Sequence, residues 1–270
     1  MSDSPEILAL KERMRASWMA GDFGQIARIN ERSGEEFVER LGLEPGMQVL
    51  DVACGTGNQS IPAARTGAVV TGLDIAPNLL AQARERAQRE RLSINFMEGD
   101  AEQLPYSDGQ FDVVLSMFGA MFAPRPDRVA SELLRVCRPG GMIAMGNWTP
   151  DGFVGKTFSL MSRHVPPPPG VAPPLLWGEE AVVSQRFGPH SNVQTTRRSL
   201  LLDFPYGPDK VVDLFRTYFG PTKVAFGRLD PGKQKALYDD LLLLWKEHNK
   251  ATDDRTVVEG EYLEVRVRPN

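Results

Sequence analysis

Cysteine and histidine are scarce in this chain of 270 residues, which holds two of the first and three of the second. Neither Cys54 nor Cys137 has a neighbour at metal-ligand or redox-motif spacing, which excludes a disulfide framework and a thiolate metal centre and fits a reducing compartment. A basic excess is also missing. Lys and Arg number 31 against 35 Asp and Glu, a net charge of -4, whereas a nucleic-acid surface needs cations to neutralise phosphates. No apolar run approaches the roughly 18 residues of a membrane span. Charges at Glu6, Lys11, Glu12, Arg13, Arg15 and Asp22 interrupt the first thirty residues, so no secretory signal is visible. These absences predict a cytoplasmic protein without a membrane span, a metal or a nucleic-acid partner, acting on a small molecule. The apolar share of 41% and charged share of 24% are ordinary for a folded domain, and we expect one domain over 1–270.

Ile7, Leu10, Met14 and Trp18 recur at helical spacing between Pro5 and Ala20. A second helix is expected from Ser33, with Ser33 and Glu36 as a capping box and Gly42 as its left-handed stop. Residues 1–46 therefore read as an N-terminal helical arm. After Pro45-Gly46 the pattern changes to strands alternating with helices, the signature of a parallel sheet. Strands are expected at Gln48–Ala53, Ala68–Leu73, Ile94–Met97, Asp112–Met117 and Met142–Gly146. Helices are expected at Gln59–Arg65, Pro77–Arg91 and Asp127–Val136.

Beyond Asn147 the rhythm loosens. The prolines between His164 and Pro174 read as a rigid surface connector or a ligand for a proline-binding domain. A helix over Glu179–Phe187, a strand over Val193–Phe204, a helical region over Pro208–Asn249 broken at Gly220-Pro221, and a last strand at Tyr262–Val267 with one wet face complete the reading.

The most informative segment is Val49-Leu50-Asp51-Val52-Ala53-Cys54-Gly55-Thr56-Gly57. A strand that feeds a Gly-x-Gly turn lets backbone approach a bound cofactor, because neither glycine carries a Cβ. Asp51, just upstream, would repel a pyrophosphate and attract an ammonium group, which favours an amino-acid-bearing nucleotide over NAD. Asp74 follows the second strand, 19 residues after Gly55, where an acid commonly accepts both ribose hydroxyls.

Three further runs extend the pattern: Thr71-Gly72-Leu73-Asp74-Ile75, Glu98-Gly99-Asp100-Ala101 with Leu104-Pro105, and Phe111-Asp112-Val113-Val114. With Arg135–Gly141 they complete a set that resembles the class I S-adenosylmethionine-dependent methyltransferases, most closely the small-molecule branch that includes the ubiquinone and menaquinone C-methyltransferases. The match covers about residues 47 to 147. It implies an α/β, Rossmann-like fold: a seven-stranded, mostly parallel sheet with an antiparallel last strand, helices on both faces and a helical cap. It also implies S-adenosyl-L-methionine as cofactor. Asp51 would face its methionine amino group, with Ala53, Gly55, Thr56 and Gly57 against the methionine end. Asp74 would take the ribose, Ile75 and Leu79 would pack on ribose and adenine, and Asp100 and the Ala101 amide would read the adenine. Ser116 would reach the sulfonium side. The cofactor-binding core is then 47–149, and segments 150–178 and 206–252 are the expected substrate cap.

The acceptor side is less marked. Met121, Phe122 and Trp148 follow strand ends, where a partly apolar methyl acceptor would sit. A general base is needed only for an acidic O–H, a C–H or a protonated amine. His164 is the one candidate; His190 and His248 sit at a turn and on an apolar helix face. An NAD-dependent oxidoreductase remains a rival, although its fingerprint asks for Gly or Ala where Ser60 stands. A non-catalytic S-adenosylmethionine-binding sensor or scaffold is the second alternative. Tyr206 and Lys210 share the spacing of a dehydrogenase pair, but Gly207-Pro208 breaks the helix that pair needs.

Overall fold

The computed structural model describes residues 3–168, 171–188 and 191–270. His190 and Pro169 of the proline run lie outside the described residues. The chain begins with α1 (Pro5–Met19), capped by the Ser4 hydroxyl, and α2 (Phe23–Ala27). A 3-10 turn over Arg28–Asn30 leads straight into α3 (Glu31–Glu39). The expected capping box is therefore absent: the chain is already helical before Ser33, so no free helix-terminal N–H is left there for its hydroxyl. Gly42 does adopt the left-handed conformation, with φ of 64°.

The alternating core follows as β1 (Gln48–Val52), α4 (Ser60–Arg65), β2 (Val69–Asp74), α5 (Pro77–Arg89), β3 (Ile94–Glu98), β4 (Phe111–Met117), α6 (Pro126–Val136) and β5 (Cys137–Trp148). The last strand of that series begins earlier than Met142 because its register against β4 jumps from Phe111 and Cys137 to Val113 and Met142. The Pro139-Gly140-Gly141 bulge lies inside this irregularity. Then come α7 (Phe153–His164), α8 (Glu180–Phe187), β6 (Ser191–Phe204), α9 (Pro208–Tyr218), α10 (Gly220–Gly227), α11 (Pro231–His248) and β7 (Thr256–Pro269).

The seven strands lie in the order β3-β2-β1-β4-β5-β7-β6. β1 to β5 pair in parallel, and β7 is inserted antiparallel between β5 and β6. Burial of Tyr262, Leu263, Glu264, Val265 and Val267 corrects the expectation of a wet face on β7. Arg40, Arg198 and Arg266 cover the face expected to be wet, and Glu264 on it is buried in their grip.

Parallel strands buried on both faces are read as continuous apolar runs. Val49, Leu50 and Val52 of β1 and Val113, Val114 and Leu115 of β4 are almost fully buried accordingly. Strand order reverses between β1 and β4, and a crevice opens outside their carboxyl ends. Over it, α1 packs on α10, α10 on α9, and α11 on both α7 and α9. No helix among the described residues is long and apolar enough to cross a membrane.

Candidate active site

Where β1 ends, the backbone turns left-handed at Ala53 (φ 57°), Gly55 (54°) and Gly57 (84°). Such angles are routine for glycine and uncommon for alanine. The turn is stitched to the tip of β2: Cys54 N–H donates to the Leu73 carbonyl at 3.0 Å, and Gly55 N–H donates to Asp74 Oδ2 at 2.8 Å. Asp74 Oδ1 accepts from Ala76 N–H at 2.8 Å. Two backbone donors thus aim the carboxylate, and each oxygen keeps a lone pair for a ligand. Burial pushes the Asp74 carboxyl up to about 6, against the lowering effect of these N–H groups.

Asp51 lies fully buried beneath the turn. Its Oδ2 accepts from the Ser60 hydroxyl at 2.6 Å, while Oδ1 has no hydrogen-bond partner among the described residues. Burial raises its pKa to about 7; the Ser60 hydrogen bond opposes that rise, and the charge of Asp74 adds to it. An orphaned buried carboxylate oxygen lacks a donor or a cation, reached directly or through a water, and that is the partner an ammonium group supplies.

Above the turn lies a cavity of about 750 Å³, mouth included. Of the residues expected to hold a cofactor, Ala53, Gly55, Asp74, Ile75, Leu79, Asp100 and Ala101 line it. Thr56 lines a second cavity instead, and its carbonyl and hydroxyl accept from Arg86. Gly57 closes the turn by donating to the Cys54 carbonyl at 2.9 Å and lines neither cavity. Ser116 is also internal: its hydroxyl donates to the Val52 carbonyl at 2.7 Å and accepts from Ala120 N–H at 3.0 Å, tying β4 to β1.

Helix α1 closes one side of this cavity with Lys11, Met14 and Trp18. The helix reads as amphipathic, yet its single buried residue is Lys11. The Lys11 ammonium lies 2.6 Å from Asp3, 2.5 Å from Asp100 and 2.8 Å from Glu102, and Arg125 bridges Asp3 and Glu102. Burial alone would lower the pKa of Lys11, but hydrogen bonds to Asp100, Asp3 and Glu102 hold it above the ordinary value. Asp3, Asp100 and Glu102 are close enough to share a cation, and that cation is Lys11. The Asp100 carboxylate, expected to face only adenine, is thus shared with α1.

The second cavity, about 1070 Å³ with its mouth, adjoins the first and shares Trp18, Phe23, Ala53, Gly55, Phe118 and Phe122 with it. Phe118 is left-handed (φ 59°) and stacks on Trp148 with ring centroids 3.7 Å apart and planes 5° off parallel. It can turn there because Gly119 follows: a Cβ at Gly119 would lie 2.4 Å from the Ala53 carbonyl oxygen. Phe122 and Trp148, expected near the substrate, line this second cavity. Met121 does not; it is buried in the hydrophobic core behind.

His164 lies outside both cavities, a correction to its candidacy as a base. It ends α7, where its Nε2 sits 2.7 Å from Asp240 Oδ2 on α11. His248 lies against the Leu244 carbonyl and Lys156. The residues that sequence reasoning missed are those from distant segments: Lys11, Met14, Trp18 and Phe23 from the first helices, and Phe158, Phe215 and Phe219 from the later ones. The only local hint of them was aromatic residues on amphipathic helices, which reads as core.

Residues 50–145 match the family described as a methyltransferase domain, Methyltransf_11. Over 215 residues the chain is 45% identical to the uncharacterized protein Rv1403c of Mycobacterium tuberculosis, 78% of each chain. It is 39% identical over 125 residues, 45% of each chain, to methyltransferase GfsG of Streptomyces halstedii. The crystal structure of YcgJ from Bacillus subtilis shares the fold with a TM-score of 0.58 at 15% identity, over 88% of this chain and 98% of that one. With an orphaned acid beneath its glycine turn and a second acid at the β2 tip, the chain belongs to the class I S-adenosylmethionine-dependent methyltransferases, and S-adenosylmethionine is its cofactor.

Proposed function

We propose that this enzyme methylates a small, partly apolar metabolite that enters the second cavity. The observation that carries the reading is the seam between the two cavities: Ala53, Gly55, Phe118 and Phe122 belong to both walls. A donor held in the first therefore meets an acceptor held in the second. The bound cofactor supplies a methyl group on a positively charged sulfur, open to in-line attack by an acceptor lone pair. The chain's own residues orient and enclose. Asp74 accepts the ribose hydroxyls, Asp51 balances the amino group, and Ile75 and Leu79 pack on the ribose and adenine. The backbone at Ala53 and Gly55 bounds the methionine end, while Lys11 holds Asp100 in place at the adenine end. Such positioning supplies a large share of the barrier reduction.

Asp51, buried beneath the glycine turn, also bears on the rival reading, since its charge would repel the pyrophosphate of NAD. Residues 1–46 close the cofactor side, while 150–178 and 206–252 act as the acceptor cap. The two buried, unpaired cysteines suit a cytoplasmic setting. Calorimetric titration with S-adenosylhomocysteine tests the cofactor assignment, and binding of NAD in its place would overturn it. Transfer of a labelled methyl group to a component of a metabolite extract distinguishes the enzyme from a sensor, which would bind the cofactor and label nothing.

A further inference from the structure

Among the described residues, the second cavity is lined by eleven aromatic side chains and by no Asp, Glu, Lys, Arg or His. Its one titratable group besides them, the Cys54 thiol, is pushed well above its ordinary value, first by burial and then by the charges of Asp51 and Asp74. Some polar side chains in the wall are already engaged within the protein. Asn58 donates to the Ala27 carbonyl and accepts from Arg86, and Thr157 donates to the Phe153 carbonyl at 3.0 Å; Thr222 meets only the Met161 sulfur, and Asn30 Oδ1 has no partner among the described residues.

Gln59 stands at the foot of α4, two residues past Gly57, with no side-chain capping bond. Among the described residues its amide nitrogen donates only to the Met117 thioether, at 3.5 Å, a weak acceptor that an oxygen from a ligand displaces readily. An ionised group would enter this space without a charged side chain to pair with and lose its hydration, whereas aromatic walls favour stacked or edge-on rings. Phe118 and Trp148 already form a parallel slab at the seam.

Resting on the methyltransfer reading, we infer that the acceptor is an uncharged, ring-bearing molecule with a hydroxyl or carbonyl oxygen, and that Gln59 reads that oxygen. Gln59 is then a specificity-determining residue supplied by the turn that also holds the donor. Amino acids, nucleotides and carboxylate metabolites are excluded by their charge.

Trp18, Trp148 and Trp245 line the cavity and report on its contents by fluorescence. The full chain, saturated with S-adenosylhomocysteine, is titrated with naphthalene, 2-naphthol, 2-naphthoate and 2-naphthylmethylammonium. Both neutral probes are expected to quench the tryptophans, with 2-naphthol the tighter and each ion at least roughly tenfold weaker than 2-naphthol, as expected for an unpaired charge in an apolar site. Gln59→Met should lower 2-naphthol affinity roughly three- to tenfold, one hydrogen bond's worth, and leave naphthalene unchanged. If thermal melting shows that this variant does not fold, Gln59→Leu takes its place, and the ranking of the four probes on the unaltered protein decides the charge claim by itself. Equal or tighter binding of either ion, or an unchanged 2-naphthol affinity in the variant, overturns the inference. A protein that binds S-adenosylhomocysteine but neither neutral probe overturns it too while sparing the cofactor assignment. Failure to bind S-adenosylhomocysteine at all would instead remove the methyltransfer reading on which it stands.

Discussion

Replacing Asp51 by asparagine should shift stability and cofactor affinity in opposite directions. The carboxylate is fully buried, with one oxygen held by Ser60 and the other unpartnered. Its pKa is raised from 3.8 to about 7. A folded-state value above the unfolded one means that the native chain holds the proton more tightly, so stability falls as the pH rises from about 4 to about 7 and is level above. Each tenfold change in proton affinity is worth about 1.4 kcal/mol, so the ionised carboxylate costs on the order of 4 kcal/mol at pH 8, an upper bound. A neutral amide of the same shape escapes that cost. Asp51→Asn should therefore resist denaturant better than the unaltered chain at pH 8, with the advantage shrinking towards pH 4.

Cofactor binding reverses the sign. An ammonium partner is worth roughly 1.5 to 3 kcal/mol as a charge-assisted hydrogen bond, so the variant should lose about ten- to a hundredfold in S-adenosylhomocysteine affinity at pH 8. The loss should narrow at pH 5.5, where Asp51 of the unaltered protein carries a proton. Urea melts and calorimetric titrations at both pH values measure the two effects, and 5′-methylthioadenosine, which lacks the amino group, serves as the control. A variant that is less stable at pH 8, or that binds S-adenosylhomocysteine as tightly as the unaltered chain, refutes the placement of Asp51 under the amino group.

Asp74→Ala removes the acceptor of Gly55 and Ala76 N–H as well as that of the ribose hydroxyls. A loss of about 2 to 3 kcal/mol in S-adenosylhomocysteine binding is expected, and calorimetry that shows unchanged affinity contradicts the assignment. Lys11→Met leaves Asp100 without its cation, and Asp3 and the fully buried Glu102 with Arg125 alone. Denaturant melts at neutral pH should show a loss of about 1 to 3 kcal/mol, accompanied by weaker cofactor binding because Asp100 and α1 line the same cavity. His164→Ala, by contrast, should leave labelled methyl transfer unchanged, since its partner is Asp240 and neither cavity reaches it; a large drop in rate would restore it as a base.

The donor side was legible because its signals are short-range. The order of strands and helices from Gln48 to Gly146 follows from alternating apolar runs and turn residues, and boundaries missed mainly at ends such as Cys137, where a bulge hides the start of β5. Asp51, Gly55 and Asp74 act through positions that strand periodicity and a tight turn fix by themselves. Ser33 misled for a related reason: the capping pattern is local, but whether a helix starts there depends on α2 already being wound before it. Glu264 misled because alternation reports which face a residue is on, not whether an arginine cluster covers that face.

By itself, then, the sequence determined the sheet, the glycine turn and the methyl donor, each of which depends on residues a few positions apart along the chain or on one strand register. Only the tertiary structure decided what surrounds that donor. The buried Lys11 beside Asp100, the removal of Ser116, Met121 and His164 from the cavity walls, and the uncharged aromatic chamber all depend on α1, α7, α9 and α11 meeting over the sheet. Those helices are far apart in the chain, and an amphipathic helix announces that it has an apolar face without naming what the face will cover.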